Sequence, residues 1–132
     1  MAGLITGRTK RLRVSIACML APLNDPIRVA EEVVVLDLAS RGRVSVVLGA
    51  GYRPEEFAMY GVDRSRRAQL LEEFVETLRH AWTGQPFEWR GRTVRVTPTP
   101  LKAAPHHLPR RLGPGFGAAG GPPARRVLPG GA

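Results

Sequence analysis

Two glycines separated by one alanine end an apolar run, and an aromatic and a basic residue follow them directly: Gly49, Ala50, Gly51, Tyr52 and Arg53. Glycine has no Cβ atom, so a flat ligand can approach its backbone closely. In parallel α/β folds, ligands bind at the carboxyl ends of strands. The pattern therefore indicates a ligand surface at Gly49 and Gly51, with Tyr52 and Arg53 as the lining side chains.

This glycine pair does not match the common phosphate-binding motifs. A P-loop needs a longer glycine arch that ends in Gly-Lys-Ser/Thr, and neither the lysine nor the hydroxyl is present. A dinucleotide fingerprint needs a third glycine at the start of a helix, but Pro54 occupies that region and the next clear helical pattern begins some ten residues on. A tight strand-to-helix turn with glycines at positive φ is the alternative interpretation.

Other residue types that could do chemistry are sparse. Cys18 is the only cysteine, so an intrachain disulfide is excluded, and a reducing cytoplasm is the expected location. A small buried residue is the ordinary role for such a cysteine. His106 and His107 are adjacent and have no cysteine or carboxylate nearby, so we expect no metal site. The adjacent acids of Glu55-Glu56 suit the positive end of a helix dipole better than acid–base catalysis.

The elements that position these residues follow from the apolar patterns. They predict a strand at Leu12–Cys18, a helix near 26–40 that begins after Asp25-Pro26, a strand at Val44–Ala50, a helix near 64–83 and a hairpin around Arg90-Gly91. Two strands joined by a crossover helix pair in parallel in a right-handed βαβ unit. We expect both outer edges of this strand pair to be open and to favour self-association.

Charge and composition divide the chain into residues 1–102 and 103–132. The second part contains four arginines and no acid, and Gly and Pro dominate it, so we expect an irregular or disordered tail that packs little. The net charge of +9 raises the question of nucleic acid, but sparse bases with Phe116 alone for stacking do not favour that partner. No apolar run is long enough to span a membrane, and we expect no membrane partner.

Four segments together closely resemble the luciferase-like flavin-dependent monooxygenases, a family that includes deazaflavin-dependent oxidoreductases. They are "RTKRLRV", "PLNDPIRVAEEVVVLDLASRGR", "LGAGYRPEEFAMYGV" and "RRAQLLEEFVETLRHAWTG". The resemblance covers roughly residues 3–102 and implies part of a TIM barrel, in which the two predicted strands are the third and fourth. The family's insertion hairpin is similar to "PFEWRGRTVRVTPTPLKAAP".

The resemblance also implies a site. FMN or a deazaflavin would lie against Cys18, Met19, Gly49 and Gly51, with a small-molecule substrate near Tyr52 and Arg53. A reduced flavin would react with oxygen, or a hydride would move between deazaflavin and substrate. In the family a non-prolyl cis peptide forms a bulge behind the flavin ring, and by analogy it is the bond Cys18–Met19.

A TIM barrel needs about 250 residues and eight strands, and this chain has room for two barrel strands. After Pro105 the sequence looks like GC-rich DNA read out of frame, so we expect a truncated, frameshifted piece of such an enzyme that is inactive in isolation. Two alternatives stay open. The first is a degenerate gene product without catalytic function. The second is a small basic module that binds nucleic acid or another acidic partner.

Overall fold

Two parallel strands form the centre of the fold, as the sequence predicts. The structure is a computed structural model that describes residues 1–100 and 125–127. The predictions for His106, His107, Phe116 and most of the tail lie outside these residues. The helices are α1 (Ala2–Arg8), α2 (Pro26–Ser40), α3 (Pro54–Met59) and α4 (Arg67–Ala81), and the strands are β1 (Val14–Leu20), β2 (Val44–Gly49), β3 (Phe87–Trp89), β4 (Arg92–Val94) and β5 (Arg125–Val127).

Helix α2 joins β1 to β2 and has the predicted bounds. The Asp25 carboxylate accepts hydrogen bonds from the backbone N–H groups of Ile27 and Arg28, at 2.9 and 3.0 Å, and caps the helix start. At the other end Arg41 adopts a left-handed conformation with φ 55°, and the Gly42 N–H donates to the Asp37 carbonyl at 2.9 Å. This ending reverses the chain so that β2 runs parallel to β1.

Strand β1 begins and ends two residues later than predicted. Leu12 is half exposed and lies outside the strand, while the Val14 N–H donates to the Arg43 carbonyl at 2.9 Å and starts the pairing. At the far end the partners are Leu20 and Gly49. The apolar run alone could not show this shift, because the position of β1 is determined by its register with β2.

The hydrophobic core lies between the two-strand layer and helices α2 and α4. The alternating residues Val46 and Leu48 of β2 face these helices. The Trp82 indole N–H donates to the Ala30 carbonyl at 3.3 Å and ties the end of α4 to the middle of α2. Each fully buried Val, Leu or Phe side chain contributes about 1.5–3 kcal/mol to folding.

The sequence pattern does not predict α1, which contains two glycines among its seven residues. Its position depends on tertiary contacts instead. The Arg43 guanidinium donates to the carbonyls of Thr6 at 2.9 Å, Leu12 at 2.8 Å and Ser40 at 2.7 Å, and to the Thr9 hydroxyl at 3.2 Å. One side chain therefore holds α1 and the entry of β1 against the turn between α2 and β2.

The hairpin β3–β4 forms as predicted, with Arg90 and Gly91 both at positive φ in a two-residue turn. The Phe87 ring stacks on the His80 ring of α4 with centroids 5.6 Å apart. This contact fixes the hairpin beside the end of α4.

The expectation that both sheet edges are open is wrong for β2. Strand β5 pairs antiparallel with β2, and Val46, Val47 and Leu48 lie opposite Val127, Arg126 and Arg125. The sheet order is therefore β1-β2-β5, and among the described residues β1 has β2 as its sole strand neighbour. The sequence did not predict this strand, because three residues are too few to show a periodic pattern and the surrounding segment is rich in Gly and Pro. Self-association stays a prediction.

The described residues form parallel βα units of an α/β fold and no closed barrel. Within the part of the chain that the structure covers, none of the helices has the length and apolar character that a bilayer crossing requires.

Candidate functional site

The carboxyl ends of β1 and β2 lie side by side and bring the predicted site residues together. Met19 is opposite Leu48, and Leu20 is opposite Gly49. The Gly-Ala-Gly loop follows β2 immediately, so it lies at the sheet end where parallel α/β folds bind ligands.

A bulge in β1 decides which side chains face this site. Ile16 pairs with Val46 and Met19 with Leu48, so three steps along β1 match two along β2. Ile16 and Met19 both pack against the core, whereas Cys18 is exposed on the opposite face. The bulge thus turns Cys18 away from the helices, whereas the Met19 side chain packs against the core.

The non-prolyl cis bond that the family resemblance implies is present, but it is Ala17–Cys18 and not Cys18–Met19. The cis bond therefore lies one bond earlier than predicted. It falls within the bulge, where the register between β1 and β2 shifts between Ile16 and Met19. A sequence without a defined register cannot distinguish the two neighbouring bonds.

Cys18 lies directly over Gly49. A Cβ atom built on Gly49 would be 2.6 Å from the Cys18 Sγ atom, closer than real Cβ contacts allow. Gly49 is buried and lies on the same face of the sheet as Cys18, because its neighbours in the chain, Leu48 in β2 and Ala50 directly after it, belong to the core. The missing Cβ is what lets the thiol pack against the strand.

Gly51 is required for a different reason. Its φ is +74°, a conformation that side chains rarely adopt, and a Cβ atom there would be 3.0 Å from the Phe57 ring. Phe57 is almost fully buried and anchors the short helix α3, which begins at Pro54 with Glu55 and Glu56 in its first turn. The loop therefore contains both a tight turn at Gly51 and a close contact between Gly51 and the Phe57 ring.

Tyr52 and Arg53 follow Gly51, and both side chains are exposed; Tyr52 is 67% exposed. They lie between the glycine loop and α3, where an aromatic ring and a positive charge are available to a ligand. Two further apolar residues of this segment, Met59 and Tyr60, are exposed as well.

Sequence reasoning missed two residues of the site. The Leu20 Cδ2 atom lies 4.0 and 3.8 Å from the Cβ positions of Gly49 and Gly51, so Leu20 covers both glycines from the neighbouring strand. It was not predicted because the strand was expected to end at Cys18. Phe57 gave a signal, since it is the one aromatic residue in "PEEFAM" and so the natural anchor of a short helix.

The Cys18 thiol of the candidate site is not activated as a nucleophile. Partial burial raises the pKa of the Cys18 thiol, so the sulfur stays protonated at neutral pH and is a poor nucleophile. Among the described residues no group of three or more His, Cys, Asp or Glu side chains could hold a metal ion. The arrangement presents an exposed thiol at the carboxyl end of β1, and any reactive chemistry there would have to come from a bound group.

Comparison with known proteins shows the family of the chain. The family model for luciferase-like monooxygenases matches residues 1–128. The chain belongs to the luciferase-like monooxygenase family. A relative in this family, an uncharacterized protein of Mycobacterium tuberculosis, is 35% identical over 107 residues, which are 79% of this chain and 38% of that protein. An uncharacterized protein of Sinorhizobium fredii is 33% identical over 105 residues, which are 80% of this chain and 31% of that protein.

Two solved monooxygenases contain a part with the same fold. Monooxygenase RslO1 from Streptomyces bottropensis superposes with a TM-score of 0.67 at 24% identity, covering 76% of this chain and 32% of that one. The oxygenating constituent of 3,6-diketocamphane monooxygenase from Pseudomonas putida, in complex with FMN, gives 0.63 at 20% identity, covering 74% and 28%. The chain thus spans about a third of the length of the proteins it matches.

Proposed function

We propose that Cys18, Gly49 and Gly51, with the backbone of Met19, form one wall of a flavin site in an oxidoreductase of the monooxygenase type. The observation that carries this proposal is the face shared by Cys18 and Gly49 at the carboxyl ends of two parallel strands. The two glycines let the Cys18 thiol and the Phe57 ring pack closely at this strand end, and a flat ring would contact the wall through the exposed thiol.

FMN is favoured over a deazaflavin because one of the solved neighbours is a complex with FMN. Bound reduced FMN supplies electrons for the oxygenation of a small organic substrate by O2. Tyr52 offers an exposed ring against which such a substrate can stack, and Arg53 offers a positive charge beside it. The single cysteine supports a cytoplasmic location.

We further propose that the chain alone is inactive as an oxygenase. The described residues supply the loops after two strands, and Arg53 is the one basic side chain between Gly49 and Tyr60. Each charge-assisted hydrogen bond to a phosphate contributes about 1.5–3 kcal/mol, so a site with few such donors binds FMN weakly. The place of β5 beside β2 favours the same conclusion, because it occupies the edge where a further parallel strand would pair.

The test uses Cys18 as its reporter. The chain is treated with a thiol-alkylating reagent at increasing FMN, up to about 1 mM, a range that detects millimolar dissociation constants. We expect FMN to slow alkylation of Cys18, and inorganic phosphate at the same concentration to have no effect. Alkylation at an unchanged rate with FMN in a folded preparation would contradict the ring site.

A second measurement tests inactivity. We expect flavin fluorescence titration to give a dissociation constant weaker than micromolar, and purified chain to show no flavin absorbance. Micromolar or tighter FMN binding, together with substrate-dependent oxidation of reduced flavin, would show that two strands are enough for function. Absence of flavin binding up to about 1 mM would favour a degenerate gene product or a basic binding module over the flavin site.

A further inference from the structure

The amino-terminal ends of β1 and β2, at the opposite end of the sheet from the glycine loop, carry a cluster of exposed bases. We call the following five residues the basic patch: Arg8, Lys10, Arg11, Arg13 and Arg41. Residues 1–24 contain no acid, and the first acid, Asp25, follows the carboxyl end of β1. Asp37, which lies one turn before the end of α2, is buried.

Hydrogen bonds bring the two halves of the patch together although some thirty residues separate them in sequence. The guanidinium of Arg43 reaches the Thr6 carbonyl at 2.9 Å, the Thr9 hydroxyl at 3.2 Å and the Leu12 carbonyl at 2.8 Å. Arg41 lies two residues before Arg43, in the turn between α2 and β2 that the Arg43 guanidinium joins to residues 6–12. The sequence alone could not reveal this juxtaposition.

Within the described part of the chain, none of the five patch residues forms an ion pair. The ion pairs Arg28–Glu32 and Arg79–Glu76 lie on α2 and α4. Five like charges on one small surface repel each other and attract a polyanion, because their fields add.

We propose that the basic patch binds the phosphate backbone of duplex nucleic acid without sequence preference. Four of its five bases are arginines, whose planar fork matches phosphate oxygens. Residues 1–24 contain no aromatic side chain, so single-stranded bases have no stacking platform there. Helix α1 has seven residues, too short to read a major groove, so the contacts are to phosphates. The proposal concerns the sheet end opposite the flavin site and does not depend on it.

The experiment measures fluorescence anisotropy of a labelled duplex of roughly 20 base pairs with the full chain at increasing NaCl. Each phosphate contact contributes about 0.9 to the slope of log K against log salt, so five contacts give a slope of about −4.5. The double variant Arg11→Glu/Arg13→Glu should lower the magnitude of the slope by about 2 and weaken binding at least tenfold at about 0.1 M salt.

The matched control is Arg64→Glu/Arg66→Glu, which changes net charge equally at two exposed arginines near the start of α4. We expect it to weaken binding less than about threefold, because those residues lie away from the patch. Equal losses in both double variants, or no loss in the patch variant, would overturn the proposal. Circular dichroism of each variant confirms that the fold is retained.

An anionic membrane is the alternative polyanion, because Leu4 and Leu12 are exposed beside the bases. The variant Leu4→Ser/Leu12→Ser should keep its duplex affinity within about twofold, since phosphate contacts do not need apolar insertion. Two results together would overturn the proposal in favour of a membrane surface. The wild-type chain would fail to bind duplex, and it would co-sediment with phosphatidylserine vesicles whereas the leucine variant would not.

Discussion

The close contact between Cys18 and Gly49 can be tested by adding one methyl group. In Gly49→Ala the new Cβ would lie 2.6 Å from the Cys18 Sγ atom and 4.0 Å from the Leu20 Cδ2 atom. The φ angle of Gly49 is not in the left-handed region, so alanine is compatible with the backbone and the steric contact is the main cost.

The magnitude follows from how far the thiol can move. Overpacking by one methylene costs about 1–3 kcal/mol in a closed core. The Cys18 side chain is exposed and can rotate about χ1, so we expect the lower part of this range, about 1–2 kcal/mol. In a Cys18→Ala background the sulfur is absent, and alanine in a strand is about 0.5–1 kcal/mol better than glycine, so the same change should be neutral or stabilising.

The assay is a double-mutant cycle by urea unfolding, followed by fluorescence of the buried Trp82. We expect a coupling energy of about 1–3 kcal/mol between positions 18 and 49. Gly7→Ala is the control, because nothing lies within 4 Å of that Cβ position in α1. Equal destabilisation by Gly49→Ala in both backgrounds would refute the steric argument.

Two further predictions concern single side chains. Arg43→Ala removes four hydrogen bonds between 2.7 and 3.2 Å and should lower the free energy of unfolding by about 2–3 kcal/mol. The control Arg41→Gln should change it by less than about 0.5 kcal/mol. Similar urea midpoints for both variants would contradict the role of Arg43. Because burial raises the pKa of Cys18, its alkylation rate between pH 7 and 10 should rise at higher pH than in the urea-unfolded chain; coincident pH profiles for native and unfolded chains would show an unperturbed thiol.

Local signals predicted the central elements well. Asp25-Pro26 marked the start of α2, and the apolar periodicity of α4 marked its core face, because capping and patterning act within one helix. The hairpin turn at Arg90-Gly91 is likewise a local preference.

Features that depend on distant contacts were not predictable. Helix α1 depends on Arg43, and the face chosen by Cys18 depends on a bulge defined by pairing with β2. The two strands that position these residues were therefore predicted, but the geometry at their ends was not, and binding of a flavin by these residues stays a prediction. Leu20 was missed, and the side chain of Met19, a residue predicted to contact the flavin, packs against the core.

Strand β5 has a consequence for how this chain could combine with the rest of a barrel. It runs antiparallel along the β2 edge, whereas a neighbouring barrel strand would run parallel there. A complementary segment supplied by another molecule must therefore displace β5 before it can pair. Its apparent affinity is reduced by the fraction of time for which β5 is released, so release in about 1% of molecules weakens assembly about hundredfold. The three residues Arg125–Val127 would thus compete with any strand that pairs at this edge, and we expect their removal to favour such pairing.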